Sequence, residues 1–147
     1  MPTTEPTTEI QPYLMFGGRC EEALAFYQRA LGATIDMKLL FKDSPEAPPP
    51  GTLPPGFENK VMHSSFRVGS AVVMASDGCE AASQFSGFSL SLSLPTAAEV
   101  DRAFNALAEG GKVCMPLAQT FWSPRFGMVT DRFGVNWMLT VLHKSGQ

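Results

Sequence analysis

The sequence predicts an α+β fold: tandem βαβββ modules forming a curved mixed sheet around a concave cavity, with the helices outside. Three observations carry this. Residues 121–142, FWSPRFGMVTDRFGVNWMLTVL, hold two apolar-rich runs that meet at Asp-Arg-Phe-Gly, the pattern of a closing hairpin. Residues 63–76 read the same way around Gly69-Ser70. A helical pattern precedes each hairpin at a distance, so one supersecondary unit is used twice, with module 1 at about 11–76 and module 2 at about 85–142. A chain of 147 residues makes one domain with room for a real core.

The elements follow in order. Residues 13–16 are a short apolar strand ending at Gly17-Gly18. In CEEALAFYQRALGA the residues Ala23, Leu24, Phe26, Tyr27, Ala30 and Leu31 make one helical stripe. Glu21 and Glu22 sit where the helix dipole favours them, and Gly32 stops the helix. A strand at 34–41 leads into a Pro-rich loop, residues 42–60, with six of the twelve prolines between Pro45 and Pro55. Such a loop is either a mobile spacer or a flap over a cavity or dimer surface.

Residues 61–68 and 71–75 form the first hairpin, and 77–84 link the modules. Residues 85–94 alternate strictly, with Phe88, Leu90, Leu92 and Leu94 on one face and Gly87, Ser89, Ser91 and Ser93 on the other. The second helix opens at Thr96, with Glu99 completing a capping box, and buries Val100, Ala103, Phe104 and Leu107 before Gly110-Gly111. A strand at 112–119 precedes the last hairpin.

Composition narrows the partners. The net charge is −3 with no basic cluster, which argues against nucleic acid. No apolar run has the roughly 18 residues needed to cross a membrane. MPTTEPTTEIQP carries two acidic residues and no basic one, unlike a secretory or mitochondrial signal, so a cytoplasmic protein is expected. Cys20, Cys79 and Cys114 have no CxxC spacing and fit a reducing compartment.

A two-residue Gly69-Ser70 turn pairs Val68 with Ala71, and hence Arg67 with Val72, Ser65 with Met74, and His63 with Ser76. These pairs share a face, so His63, Ser65, Arg67, Met74 and Ser76 point into the hollow while Met62, Phe66, Val68, Val73 and Ala75 face the helix. Ser89 joins the hollow from the serine face. In the last hairpin the register is open; one assignment turns Asn136, Met138 and Thr140 inward and gives Trp137 and Leu139 to the helix. Phe121 or Trp122 could wall the pocket or belong to the core.

His63 is either a hydrogen-bonded structural residue or a ligand-binding or proton-transfer group. Arg67 would favour an anionic ligand group, or pair with Glu58, Asp77 or a loop carboxylate. Cys79 and Cys114 would be nucleophiles only beside a group that lowers a thiol pKa, and the sequence identifies none. There is no GxSxG, P-loop, GxGxxG or HExxH, and no set of three hard metal ligands converges on the hollow.

PYLMFGGRCEEALAFYQRALGA, the Pro-rich insertion, SFRVGSAVVMASD, FSGFSLSLSL and QTFWSPRFGMVTDRFGVNWML together resemble the vicinal oxygen chelate superfamily of glyoxalases, bleomycin-resistance proteins and dioxygenases. Within it the chain is most similar to the PhnB-like branch, labelled 3-demethylubiquinone 3-methyltransferase-like, over about residues 11–142. The resemblance implies a divalent metal held by two residues per module, His or Gln and Glu. The matching positions are Pro12, Met74, Gly87 and Met138, none of them a hard-metal ligand. The label's methyl transfer finds no glycine-rich loop suited to an adenosyl cofactor.

The expectation is therefore a metal-free protein without cofactor that binds an unidentified small molecule through His63, Ser65, Arg67, Met74, Ser76, Ser89, Trp122 and Met138. The alternative is an enzyme of lyase, isomerase or dioxygenase type, with a displaced metal site or with His63 as general base. A purely structural role is the third reading. The resemblance implies a homodimer for all three.

Overall fold

The structure, a computed structural model, describes residues 7–46 and 51–142. Part of the Pro-rich loop (residues 47–50) and the tail with His143 lie outside the described residues. The chain runs β1 (Tyr13–Met15), α1 (Cys20–Leu31), β2 (Thr34–Leu40), β3 (Val61–Val68), β4 (Ala71–Ser76), β5 (Leu90–Leu94), α2 (Ala97–Ala108), β6 (Lys112–Ala118), β7 (Phe126–Thr130) and β8 (Asn136–Val141).

These elements make two four-stranded mixed sheets of matching order, β1-β4-β3-β2 and β5-β8-β7-β6. In each, the strand before the helix runs parallel to the last strand of its module, and the other pairs are antiparallel. The Gly69-Ser70 turn gives the register the sequence implies, with Val68 opposite Ala71, Arg67 opposite Val72 and Ser65 opposite Met74. The ladder ends at Ser64 and Ala75, so the pairing of His63 with Ser76 is not formed, and His63 is paired only on its other side, with Leu39 of β2.

Both helices start and stop where their residues dictate. Gly32 caps α1 in the left-handed conformation, its N–H donating to the Gln28 carbonyl while the N–H of Ala33 donates to that of Tyr27. Thr96 accepts a hydrogen bond from the Glu99 backbone N–H at 3.2 Å and donates to its carboxylate at 3.0 Å. The buried stripes are Ala23, Leu24, Phe26 and Tyr27 on α1, and Val100, Ala103, Phe104 and Leu107 on α2.

The strand expected at 85–94 shortens to 90–94. Gly87 takes φ +80°, which breaks the extended run, and Phe85 packs on Phe16 with ring centroids 5.4 Å apart. In the last hairpin Thr130 pairs with Asn136 across a 131–135 turn, which buries Trp137 and Leu139.

Within the chain the modules join through their helix-covered faces. Tyr27 of α1 stacks on Phe66 of β3 and meets Trp137 of β8 edge-on, each at about 5.7 Å or less. Its hydroxyl donates to Asp131 Oδ2 at 2.6 Å, and Trp137 Nε1 donates to the same oxygen at 2.9 Å. Asp131 Oδ1 accepts from the backbone N–H groups of Phe133 and Val135. Arg19 lies over the Phe133 ring and Arg132 over that of Phe26, adding two cation–π contacts across the join. With the covered faces meeting in one core, the opposite faces of both sheets are left open.

Burial, then the Asp131 charge, raises the Tyr27 phenol pKa, and burial pushes the Cys20 thiol up to about 12. Both groups are protonated in the folded state and ionise more readily when unfolded, near about pH 10 and 8.5. Their contribution is full below those values and is lost progressively as pH rises from them toward the raised folded-state values. Unfolding free energy is therefore expected to fall from about pH 9 upward, less steeply in Cys20→Ala. At neutral pH, Tyr27→Phe is expected to cost about 2 kcal/mol in urea unfolding, the worth of a buried hydrogen bond to a carboxylate; an unchanged midpoint would contradict this account of the join.

Candidate functional site

Each open face carries an equivalent row across its four strands. In module 1, Tyr13, Met74, Ser65 and Met37 are successive cross-strand neighbours. In module 2 the row is Ser91, Met138, Met128 and Met115. β-bulges in β2 and β6 help set these rows, each shifting the register before Met37 and Met115.

Met15 and Met62 extend the first face, where they line a cavity of about 450 Å³ with Tyr13, Phe41, Ser76, Gly78 and Cys79. Met62 was expected under the helix. The register shift between Leu39 and Leu40 reverses the alternation there, leaving Val61 buried and turning Met62 to the open side. Beside it lies a cavity of about 540 Å³ that shares Tyr13, Met15, Gly78 and Cys79 and adds Phe85 and Phe88 together with the polar Asp77, Glu80, Ser83 and Gln84.

Polar groups punctuate these surfaces. The Tyr13 hydroxyl lies 3.1 Å from His63 Nδ1, with the two rings 5.6 Å apart. Arg67 Nε donates to both Asp36 oxygens, at 2.9 and 3.1 Å, and this hydrogen bond raises the guanidinium pKa further. Its partner is thus Asp36, displayed by the β2 bulge, and none of the three carboxylates considered from sequence. On module 2, Ser89 hydrogen-bonds Asn136 Oδ1, whose amide donates to Thr130 Oγ1 at 3.1 Å and Cys114 Sγ at 3.6 Å.

The eight residues picked out by sequence fall into two groups. His63, Ser65, Arg67 and Met74 share the module 1 face, while Ser76 is buried at its edge, where its hydroxyl accepts the Gly78 N–H at 3.0 Å. Ser89, Met138 and Trp122 belong to module 2. Trp122 packs edge-on against Phe126, in a loop shaped by the buried Ser123 hydroxyl, which accepts from Thr140 Oγ1 at 2.6 Å. No ladder joins the two groups among the described residues. Sequence reasoning missed Tyr13 and Met15, although the alternation around buried Leu14 signals them.

Residues 8–140 match the family described as 3-demethylubiquinone-9 3-methyltransferase. The chain belongs to this family, the PhnB-like branch of the vicinal oxygen chelate superfamily. Protein YjdN of Escherichia coli K12 is 38% identical over 141 residues, 90% of this chain and 95% of YjdN. The crystal structure of PA1353 from Pseudomonas aeruginosa is 46% identical with a TM-score of 0.81, over 94% of this chain and all of PA1353. The PhnB protein of Bacillus cereus is 29% identical with a TM-score of 0.74, over 92% of this chain and all of its own.

At the superfamily's metal positions this PhnB-like chain carries Pro12, Met74, Gly87 and Met138. The Pro12 carbonyl is engaged by the Met74 N–H at 3.0 Å, and Met74, Gly87 and Met138 bring two thioethers and a glycine. Among the described residues no three His, Cys, Asp or Glu side chains gather where they could hold a metal ion. The donor set does not fit a hard divalent cation. The branch's methyltransferase label likewise meets no glycine-rich loop for an adenosyl cofactor in the sequence.

Cys20 is buried, whereas Cys79 and Cys114 are exposed. Two of the three thiols are expected to react promptly with a disulfide reagent at neutral pH and the third only after unfolding; three fast thiols would contradict the burial at Ser64 and Cys20.

Proposed function

We propose that the chain binds a small, flat, largely apolar molecule against the open sheet faces, without a divalent metal. One observation carries the reading. All seven methionines after Met1 lie on these open faces, and none belongs to the core cluster. Thioether side chains are flexible and polarizable, and they favour contacts with aromatic rings over one fixed shape. His63 with Tyr13, and Asn136 with Ser89, supply the few polar groups that orient a ligand. Arg67 is neutralised by Asp36, which speaks against a strongly anionic ligand.

A homodimer completes the reading. Each open face lacks a facing wall within its own chain, and a second copy would supply one. The ends of the Pro-rich loop approach this region, with Phe41 lining the smaller cavity and packing on the buried Phe57 at 6.2 Å. Three free cysteines suit a cytoplasmic protein.

The Tyr13–His63 contact supports a second reading. A Tyr13 hydroxyl donating to Nδ1 leaves His63 Nε2 facing the ligand as a proton donor, and the opposite tautomer makes it a base. Turnover that disappears in His63→Ala while binding remains would favour that enzyme.

The test is titration of a neutral fluorescent naphthylamine into the protein in EDTA. Saturable binding is expected with the same affinity after excess zinc, on a particle of twice 15.9 kDa by sedimentation equilibrium. Met74→Ala and Met138→Ala are each expected to weaken it by roughly tenfold, the worth of about two buried methylene groups. Binding that requires the added zinc would overturn the proposal.

A further inference from the structure

The cavity of about 450 Å³ is lined by three sulfur side chains, Met15 and Met62 of module 1 and Cys79 of the segment that follows it. Met15 ends β1, and Met62 is turned to the open side by the shift opposite Leu39 and Leu40. Cys79 follows Gly78, whose φ of +67° folds the chain back beside β1. The Met15 sulfur lies 3.3 Å from where a Gly78 side chain would begin, so the thioether packs against the turn that carries the thiol. Among the described residues Cys79 makes no hydrogen bond and no disulfide, unlike Cys20 with Ser64 or Cys114 with Thr130. The remaining walls are Tyr13, Phe41 and Ser76, with no carboxylate among them.

We infer that Met15, Met62 and Cys79 form a site for a soft monovalent cation, Cu(I) or its redox-inert analogue Ag(I). Thiolate and thioether ligands select such ions, while hard divalent cations favour the carboxylate and imidazole donors that this lining lacks. Two neutral thioethers and one thiolate give a neutral three-sulfur complex, suited to an apolar pocket. Binding replaces the Cys79 S–H bond by a sulfur–metal bond and releases one proton, with no change of oxidation state. The inference goes beyond the ligand reading, with which it shares Met15 and Met62, and differs from it in needing the Cys79 thiol.

The experiment is anaerobic titration of the purified full chain with Cu(I) against a chromophoric Cu(I) chelator, repeated with Ag(I) by calorimetry. One ion per chain is expected, unaffected by excess zinc, with one proton released. Cys79→Ser and the double variant Met15→Leu with Met62→Leu are each expected to weaken it by about tenfold or more. Leu keeps the volume of Met, so the double variant preserves the cavity walls, which far-UV circular dichroism checks. Cys114→Ser is expected to bind as the parent does. No Cu(I) or Ag(I) binding, undiminished binding in the Met double variant, or loss of binding in Cys114→Ser would each overturn the inference. Naphthylamine binding that persists in Cys79→Ser would separate this outcome from failure of the ligand reading.

Discussion

Asp131 holds the two halves of the molecule together. Its carboxylate is buried and accepts four hydrogen bonds, from the Tyr27 hydroxyl, the Trp137 indole and two backbone N–H groups of its own turn. A buried charge is tolerable only when its oxygens are satisfied in this way, so the arrangement fixes Tyr27 as much as Tyr27 fixes it. Because Tyr27 also stacks on Phe66, this contact couples α1, the first sheet and the last hairpin. Asp77 plays a smaller version of the part within module 1, accepting the N–H groups of Gly18, Cys20 and Val61 where β4 meets the start of α1.

Joining the modules by their covered faces leaves both remaining faces for function. The residue types divide accordingly. Among the described residues the core is built of Leu, Val, Ala and aromatic side chains with Cys20, and contains no methionine. The thioethers are kept for the open faces, where adaptability is an advantage. In the superfamily these faces hold a metal; here Met74 and Met138 stand at two of its positions, at equivalent places in the two rows. The scaffold is shared, and the chemistry lives in the side chains placed on it.

Much of this was legible in the sequence, for reasons that can be named. The stripe through Ala23, Leu24, Phe26 and Tyr27, the Thr96 cap and the Gly69-Ser70 turn act locally, so local pattern reveals them. The alternation Asn136, Met138, Thr140 against Trp137, Leu139 survives because β8 is regular. What escaped depends on contacts distant in sequence or on broken alternation. The register shifts between β2 and β3 display Asp36 to Arg67 and turn Met62 outward, and nothing in the local pattern marks them. Asp131 reads as turn punctuation until Tyr27 arrives from 104 residues away. Ser64 is buried on the helix side of β3, its hydroxyl satisfied by donating to the Ala75 carbonyl at 2.7 Å.

The seven methionines on the open faces also provide the most direct readout of the central claim, that these faces take an apolar ligand without a hard metal. The measurement is the methyl spectrum of protein labelled at the methionine ε-carbon, recorded in EDTA with a panel of neutral aromatic fragments. The account predicts that fragments shift the Met74 and Met138 methyl resonances and leave the core Leu and Val methyls in place. Fragments that move no methionine methyl, or do so only once a divalent cation is added, would contradict it.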